Sequence, residues 1–251
     1  MEDFYSRTRI LLGTKTLCEL THHHVLIAGL GGVGSFVAEA LGRVGIEHLT
    51  LLDHDVVSVS NLNRQLVALH STLGQKKTEV MAARLRDINP NVELTRLSEF
   101  LYPEQASALL ESQKFSYVVD CIDTIASKAA LVASCLQHRV PVASSLGAGN
   151  RLDVSQVRVA RLAQTNRCPL ARNLRARLRK LGVSLDYPVV YSEEIPLPPL
   201  SDLSLIEEMG GRVKTINGTI AYLPALFGMM LAGVVVQSLL KSVEISEDVV
   251  S

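Results

Sequence analysis

Apolar residues fall along this chain in short blocks separated by helical stretches, and that rhythm sets the fold class. Val25–Ala28 is a continuous apolar run, the pattern of a strand buried on both faces. Glycines follow at once, and Ser35–Val44 then carries apolar residues on a helical period. Leu49–Leu52 is a second buried run. Lys76–Asn89 predicts a helix stopped by Pro90. Val92–Leu97 alternates as a third strand, Glu104–Gln113 predicts a helix, and Tyr117–Cys121 is a fourth, buried strand. Val140–Ser144 predicts a fifth strand, Val157–Leu162 is strand-like, and Val189–Ser192 adds another. Strands alternating with helices predict an α/β fold with a Rossmann-like, mostly parallel sheet. Its last third is expected to add strands and an apolar helix.

Two later stretches break the rhythm. The proline and glycine content of Glu193–Arg212 argues against regular structure and predicts a mobile insertion. Tyr222–Leu240 runs without a charge for nineteen residues, just long enough for a membrane span. Gly228, Gly233, Gln237 and Ser238 make it a poor one, so a helix buried against the sheet is expected and stable membrane insertion is not. From Glu244 onward a frayed tail is expected.

Length and composition narrow the class. The 251 residues, 47% hydrophobic, suit one large α/β domain. The division expected is an arm (1–24), a nucleotide-binding core (25–153) and a substrate and dimerisation part (154–251). Formal net charge is zero, so no global field draws the chain to nucleic acid or membrane. Cys18, Cys121, Cys135 and Cys168 form no C-x-x-C pair, so no cysteine zinc site is signalled. The start shows no secretion signal, and reduced thiols in a cytoplasm are expected.

The candidate chemistry begins at the first turn. Strand, glycine turn, helix, strand and acid follow one another from Val25 to Asp55, the arrangement of a dinucleotide-binding unit. Gly29, Gly31, Gly32 and Gly34 let a phosphate approach bare backbone, and the N–H groups at the helix start attract it. Asp53 closes the second strand, where a carboxylate accepts hydrogen bonds from ribose hydroxyls. The D-H-D run also makes Asp55 a candidate nucleotide contact. Asn61, Asn63, Arg64 and Gln65 form a polar block beyond it, and Lys77 begins the next helix. Cations around a triphosphate would neutralise charge building on a leaving pyrophosphate; a solvated loop is the plainer alternative. Asp120 or Asp123 stands at a strand's carboxyl end, where carboxylate oxygen suits magnesium. Asp123 could equally cap the helix after it. Lys128, one turn in, could touch phosphate or face solvent. His22, His23 and His24 enter a strand in succession and point to opposite faces, so a metal there is not expected.

G-L-G-G-V-G, D-H-D, S-N-L-N-R-Q and G-Q-K-K together resemble the ThiF/MoeB family, bacterial relatives of the ubiquitin-activating enzymes. The resemblance covers the chain from Arg7 to about Leu240. It implies binding of ATP and Mg2+ and adenylation of a carboxylate. It places triphosphate contacts on Asn61, Arg64, Gln65 and Lys77, and magnesium on Asp123. It also implies a homodimer in which an arginine of one subunit reaches the other's ATP; Arg7 matches that position best, with Arg9 second.

The stretch Val154–Leu185 carries Arg158, Arg161, Arg167, Arg172, Arg175, Arg177, Arg179 and Lys180 and no acid. A basic helix fits a phosphate backbone as well as a solvated face. S-L-G-A-G-N-R-L-D and P-L-A-R-N-L-R-A-R-L-R resemble the threonylcarbamoyladenosine dehydratase branch of the family. That resemblance implies a tRNA substrate, whose threonyl carboxylate beside the anticodon is adenylated and then cyclised. Where that branch commonly has aspartate before P-L-A, this chain has Cys168, whose role is left open. A sulfur-relay or sulfur-acceptor protein is a further candidate partner. Three other readings stand beside this one: adenylation of a ubiquitin-like sulfur carrier's C-terminal carboxylate, a nicotinamide oxidoreductase, and a non-catalytic ATP-binding module.

Overall fold

The computed structural model describes residues 3–198, 206–209, 212–215 and 217–242. An N-terminal pair of helices, α1 (Ser6–Leu12) and α2 (Thr14–Thr21), leads into β1 (His24–Ala28), α3 (Gly34–Val44) and β2 (His48–Leu52). α4 (Lys77–Ile88), β3 (Glu93–Leu97), α5 (Ala106–Ser112), β4 (Tyr117–Asp120), α6 (Ile125–Gln137) and β5 (Val142–Ser145) continue the alternation. β6 (Val157–Arg161), α7 (Pro169–Lys180), β7 (Pro188–Ser192), the strands β8 (Ile206–Met209) and β9 (Arg212–Thr215), and α8 (Tyr222–Ser242) complete it.

The main sheet has seven strands in the order β3-β2-β1-β4-β5-β7-β6. All its pairings are parallel except β6 with β7. The order reverses between β1 and β4, the switch point at which open α/β sheets take ligands outside the strands' carboxyl ends. Both faces are covered, which is why the strands read as continuous apolar runs. Successive residues of β1 enter different cores. Val25 and Ile27 pack with α3, α4 and α8 residues such as Leu41, Leu85 and Phe227. Leu26 and Ala28 pack with Leu131, Leu174 and other residues from α6 and α7.

Several expectations are corrected here. The helix predicted over Glu104–Gln113 is a 3-10 turn, Pro103–Gln105, followed by the shorter α5; proline at the first position sets the turn. Within Glu193–Arg212, predicted to lack regular structure, lies β8, which pairs antiparallel with β9. Local proline content did not reveal this pairing, because a strand is stabilised by its neighbour rather than by its own sequence. The expected tail from Glu244 lies outside the described residues. α8 is the one helix among the described residues long and apolar enough to cross a bilayer. Leu223, Phe227, Leu231, Val235 and Leu239 bury it in the core, as expected. A Cβ on Gly228 would lie 2.6 Å from the Val33 carbonyl oxygen, so α8 crosses α3 at close range.

Candidate nucleotide site

The turn after β1 requires its glycines. Gly29 has φ +91°, and a Cβ on Gly34 would lie 1.7 Å from the Gly29 carbonyl oxygen. The Gly29 N–H donates to Leu52 O at 2.7 Å, tying the turn to the end of β2. Asp53 is buried there. Its Oδ2 accepts the Leu30 N–H at 2.6 Å and its Oδ1 the Asp55 N–H at 2.8 Å. The acid thus braces the glycine turn, with lone pairs left for a ribose.

The polar block folds back onto this turn. A Cβ on Gly32 would lie 3.4 Å from Arg64 Cγ, and one on Gly31 would lie 3.7 Å from Gln65 Nε2. Asn61, buried, accepts the Ser58 N–H through Oδ1 at 3.1 Å, which closes the short turn carrying Asn63 and Arg64. Asn63 donates to Thr219 O at 3.1 Å and accepts from Arg64 Nη1 at 2.8 Å. Arg64 Nη1 also donates to Ser60 O at 2.7 Å. Among the described residues Arg64 has no carboxylate partner, and burial pushes its guanidinium below the ordinary value. It is a partly desolvated cation with only neutral acceptors, which favours an incoming anion. Gln65 Oε1 is buried and has no hydrogen-bond partner among the described residues.

Lys77 opens α4, nearly buried, and its Nζ meets Asp55 Oδ2 at 2.6 Å. Asp55 also faces His54 Nε2 at 3.2 Å. Asp53, His54 and Asp55 are the one His/Cys/acid group among the described residues close enough to share a metal ion. The structure therefore brings Gly29–Gly34, Asp53, Arg64 and Gln65 together, with Asn61 and Asn63 bracing the turn and Lys77 tied to Asp55.

Asp123 stands exposed beyond β4, with Thr124 Oγ1 donating to it at 3.3 Å. Thr124 is the residue before α6, and its side chain makes no capping bond. Asp120 and Lys128 do not face the site. They form a fully buried pair at 2.7 Å, with Ser144 Oγ donating to Asp120 at 2.6 Å and Lys128 Nζ to Ser145 O at 2.9 Å. The reading of Lys128 as a phosphate or solvent contact is thereby corrected: Asp120 draws it inward. The three histidines diverge, His22 to Cys18 O and His24 to Thr50 Oγ1.

Arg7 lies exposed on α1. The preceding Tyr5 packs on Gly45, at the opposite end of α3 from Gly34. α3 has 11 residues, so the two ends stand roughly 16 Å apart along the axis. Arg9 is paired with Asp3 at 2.8 Å. Sequence reasoning missed the part of α8 in this region. A Cβ on Gly32 would come within 3.0 Å of Pro224 Cβ, so the start of α8 walls the glycine turn. The helical glycine Gly228 was its one signal.

On the other side of the sheet, α7 is amphipathic. Ala171, Leu174 and Leu178 are buried, and Arg172, Arg177, Arg179 and Lys180 face solvent with no ion-pair partner among the described residues. Arg158 and Arg161 do have acidic neighbours, Glu193 and Asp186, each at 3.4 Å. Cys121, Cys135 and Cys168 are not exposed, and burial raises the Cys121 and Cys135 thiols far above the ordinary range.

The fold and this site define a nucleotide-dependent adenylating class, and the comparison with family models agrees: residues 5–250 match the ThiF family, to which the chain belongs. It is 37% identical over 247 residues to a Bacillus subtilis tRNA threonylcarbamoyladenosine dehydratase, covering 96% of each chain. The Escherichia coli protein of that name is 41% identical over 209 residues, 79% of this chain and 76% of the other. The crystal structure of E. coli TcdA in complex with ATP superposes with TM-score 0.84 at 35% identity, covering 95% of this chain and 94% of that one.

Proposed function

We propose that this chain, as a single adenylating unit over residues 1–251, is an ATP-dependent tRNA threonylcarbamoyladenosine dehydratase. The threonyl carboxylate of the modified adenosine beside the anticodon attacks the α-phosphorus of ATP. A carboxyl–phosphorus mixed anhydride forms and pyrophosphate leaves. The carbamoyl group of the same side chain then attacks the activated carbonyl, closes a ring and expels AMP. The net change in the nucleoside is loss of one water. Ring closure is intramolecular, so proximity within the substrate supplies the nucleophile and no enzyme thiol is required.

The observation that carries this reading is Arg64, a half-buried cation without a carboxylate, folded against Gly32. In this reading Gly29, Gly31, Gly32 and Gly34 offer backbone to the triphosphate, and Asp53 takes the ribose. Arg64 and Lys77 stabilise charge on the departing pyrophosphate. Asn61, Asn63 and Gln65 hold Arg64 and the turn in register. Asp55 keeps Lys77 aimed. Asp123 is an exposed hard-oxygen donor at the switch point and fits magnesium, which is commonly held by one or two carboxylates plus phosphates. Bound there, Mg2+ would supply neutralisation of phosphate charge. The exposed cations of α7 fit the tRNA backbone. Exposed Ile10 (79%) and Leu11 (73%) on α1 favour a homodimer, in which Arg7 reaches the partner's site.

Sulfur-carrier activation through an enzyme thiol is less favoured, because Cys121, Cys135 and Cys168 are not exposed, burial raises the Cys121 and Cys135 thiols, and the exposed Cys18 lies on α2, which leads into the amino end of β1, away from the glycine turn at its carboxyl end. Exchange of labelled pyrophosphate into ATP tests the proposal. It should require tRNA carrying the modification. Exchange that ignores the modification, or that depends on a small protein, sinks it.

A further inference from the structure

Arg151 follows the glycine loop S-L-G-A-G-N at the carboxyl end of β5 and is 3% exposed. Its Nε donates to Glu194 O at 3.0 Å, and its Nη1 donates to the carbonyls of Gly147 and Gly149. Glu194 spends its carboxylate on the Leu152 and Asp153 N–H groups, at 2.9–3.1 Å. Among the described residues no acid pairs with Arg151. Sealed from solvent, the guanidinium touches no ligand. It turns two loop carbonyls inward and leaves a buried positive charge behind the loop.

The loop itself is different. A trans peptide sets each N–H opposite the carbonyl before it. With the Gly149 carbonyl turned to Arg151, the Asn150 N–H points away and reaches Gly218 O at 2.8 Å. With the Gly147 carbonyl turned to Arg151, the Ala148 N–H also points away, and it has no acceptor among the described residues. Ala148 and both glycines are partly exposed. The loop also borders the nucleotide site. A Cβ on Gly149 would lie 3.1 Å from Asn217 Cβ. Thr219, two residues on, accepts from Asn63, which accepts from Arg64.

We infer that the free Ala148 N–H is an oxyanion donor for the carboxylate that is adenylated, and that Arg151 is the positioning residue that holds it outward. This deepens the dehydratase reading and rests on it. In the sheet order β1-β4-β5 the loop leaves the sheet two strands from the glycine turn, about 10 Å away. A phosphate bonded to the turn and a carboxylate bonded to the loop, each across about 2.9 Å, fill that gap when phosphorus and attacking oxygen stand about 3–3.5 Å apart. One carboxylate oxygen attacks phosphorus; the other, on the N–H, becomes the carbonyl oxygen of the mixed anhydride. When the carbamoyl group attacks that carbonyl, the same oxygen takes the electron pair as an oxyanion. The carbonyl re-forms as the C–O bond to phosphate breaks, AMP leaves with that bond's electrons, and the carbamoyl group loses a proton to solvent. One donor thus serves both steps.

The test uses the full chain. Ala148→lactic acid swaps that single N–H for an ester oxygen and keeps the methyl group. Arg151→Met removes the guanidinium, and Arg151→Lys restores a donor and a charge. Pyrophosphate exchange and AMP release are measured with modified tRNA and, in parallel, with a ubiquitin-like sulfur carrier, alongside ATP affinity. Ala148→lactic acid should lower kcat for both steps about 100- to 1000-fold, with ATP affinity and melting temperature near the parent's. Arg151→Met should lower kcat in the same direction, and Arg151→Lys should recover about tenfold of that loss; a strut that only braces the fold would lose ATP affinity and melting temperature instead. If Arg151→Met does not fold, Ala148→lactic acid carries the test alone. Unchanged kcat in Ala148→lactic acid overturns the inference, as does a loss matched by an equal loss of ATP affinity. Exchange that follows the sulfur carrier and falls in Ala148→lactic acid would leave the donor standing and remove the dehydratase reading instead. No exchange with either acceptor removes both.

Discussion

The Lys128–Asp120 and Lys77–Asp55 pairs have nearly the same separation, 2.7 and 2.6 Å, and both stand at the carboxyl edge of the sheet. Their surroundings differ. Lys128 and Asp120 are each 0% exposed, and Ser144 and the Ser145 carbonyl complete their bonding. Lys77 is 5% exposed, but its partner Asp55 is 47% exposed and open to solvent. A closed pair has nothing left to offer a ligand, and losing one member strands a charge in a low dielectric. An open pair holds a cation in place while a stronger anion can still compete for it. The same two residue types thus give a structural fastening on one side of the switch point and a proposed phosphate contact on the other.

Methionine substitutions separate the two most sharply, since they keep the aliphatic stem and delete the charge. Lys128→Met should lower unfolding free energy by about 3–5 kcal/mol, because Asp120 is left buried and uncompensated; denaturant titration reads this. A loss under 1 kcal/mol would mean that the pair is not closed. Lys77→Met should cost about 1 kcal/mol or less in stability, as Asp55 can be hydrated. Its pyrophosphate exchange should fall about 100- to 1000-fold, near 2.7–4 kcal/mol of transition-state stabilisation. Comparable exchange in Lys77→Met and the parent would reduce that pair to a fastening as well. Replacing Arg177 and Arg179 together by glutamine should weaken tRNA binding and flatten its salt slope by about 1.4–2, with ATP affinity unchanged. A slope that stays put would make the outer face of α7 ordinary solvated surface.

The smallest effect concerns pH. Burial lowers the His24 ring below its usual value, and the neighbouring His48 adds to this. The unfolded chain then takes up the proton first, so folding is favoured by the neutral ring above about pH 6.5. That contribution is lost as pH falls through the lowered value. Melting temperature should drop on acidification, and His24→Gln, which can still bond Thr50, should flatten the drop. An identical pH profile in the variant would contradict the assignment.

The legible parts of the sequence were those in which local chemistry is itself the reason for the structure. Gly29 and Gly34 are readable because no other residue fits the turn, and β1 is readable because both its faces meet apolar cores. Lys128 was not readable. On a helical wheel it resembles any solvated lysine, and only the fold brings it to Asp120 and Ser144. Arg151 was passed over for a related reason: it closes a glycine loop, and its burial depends on loops contributed by Gly147 and Glu194. β8 was hidden because its pairing with β9 outweighs local composition. The start of α8 against Gly32 had one trace, Gly228 in an otherwise apolar helix.

The central claim is that the cations gathered at the glycine turn activate a carboxylate on modified tRNA. Mass analysis of the nucleoside from tRNA incubated with ATP and the protein addresses it directly. The account predicts loss of one water from threonylcarbamoyladenosine, matched mole for mole by AMP and pyrophosphate, and abolished in Arg64→Ala. An unchanged nucleoside while ATP is consumed, or full conversion by Arg64→Ala, would contradict it.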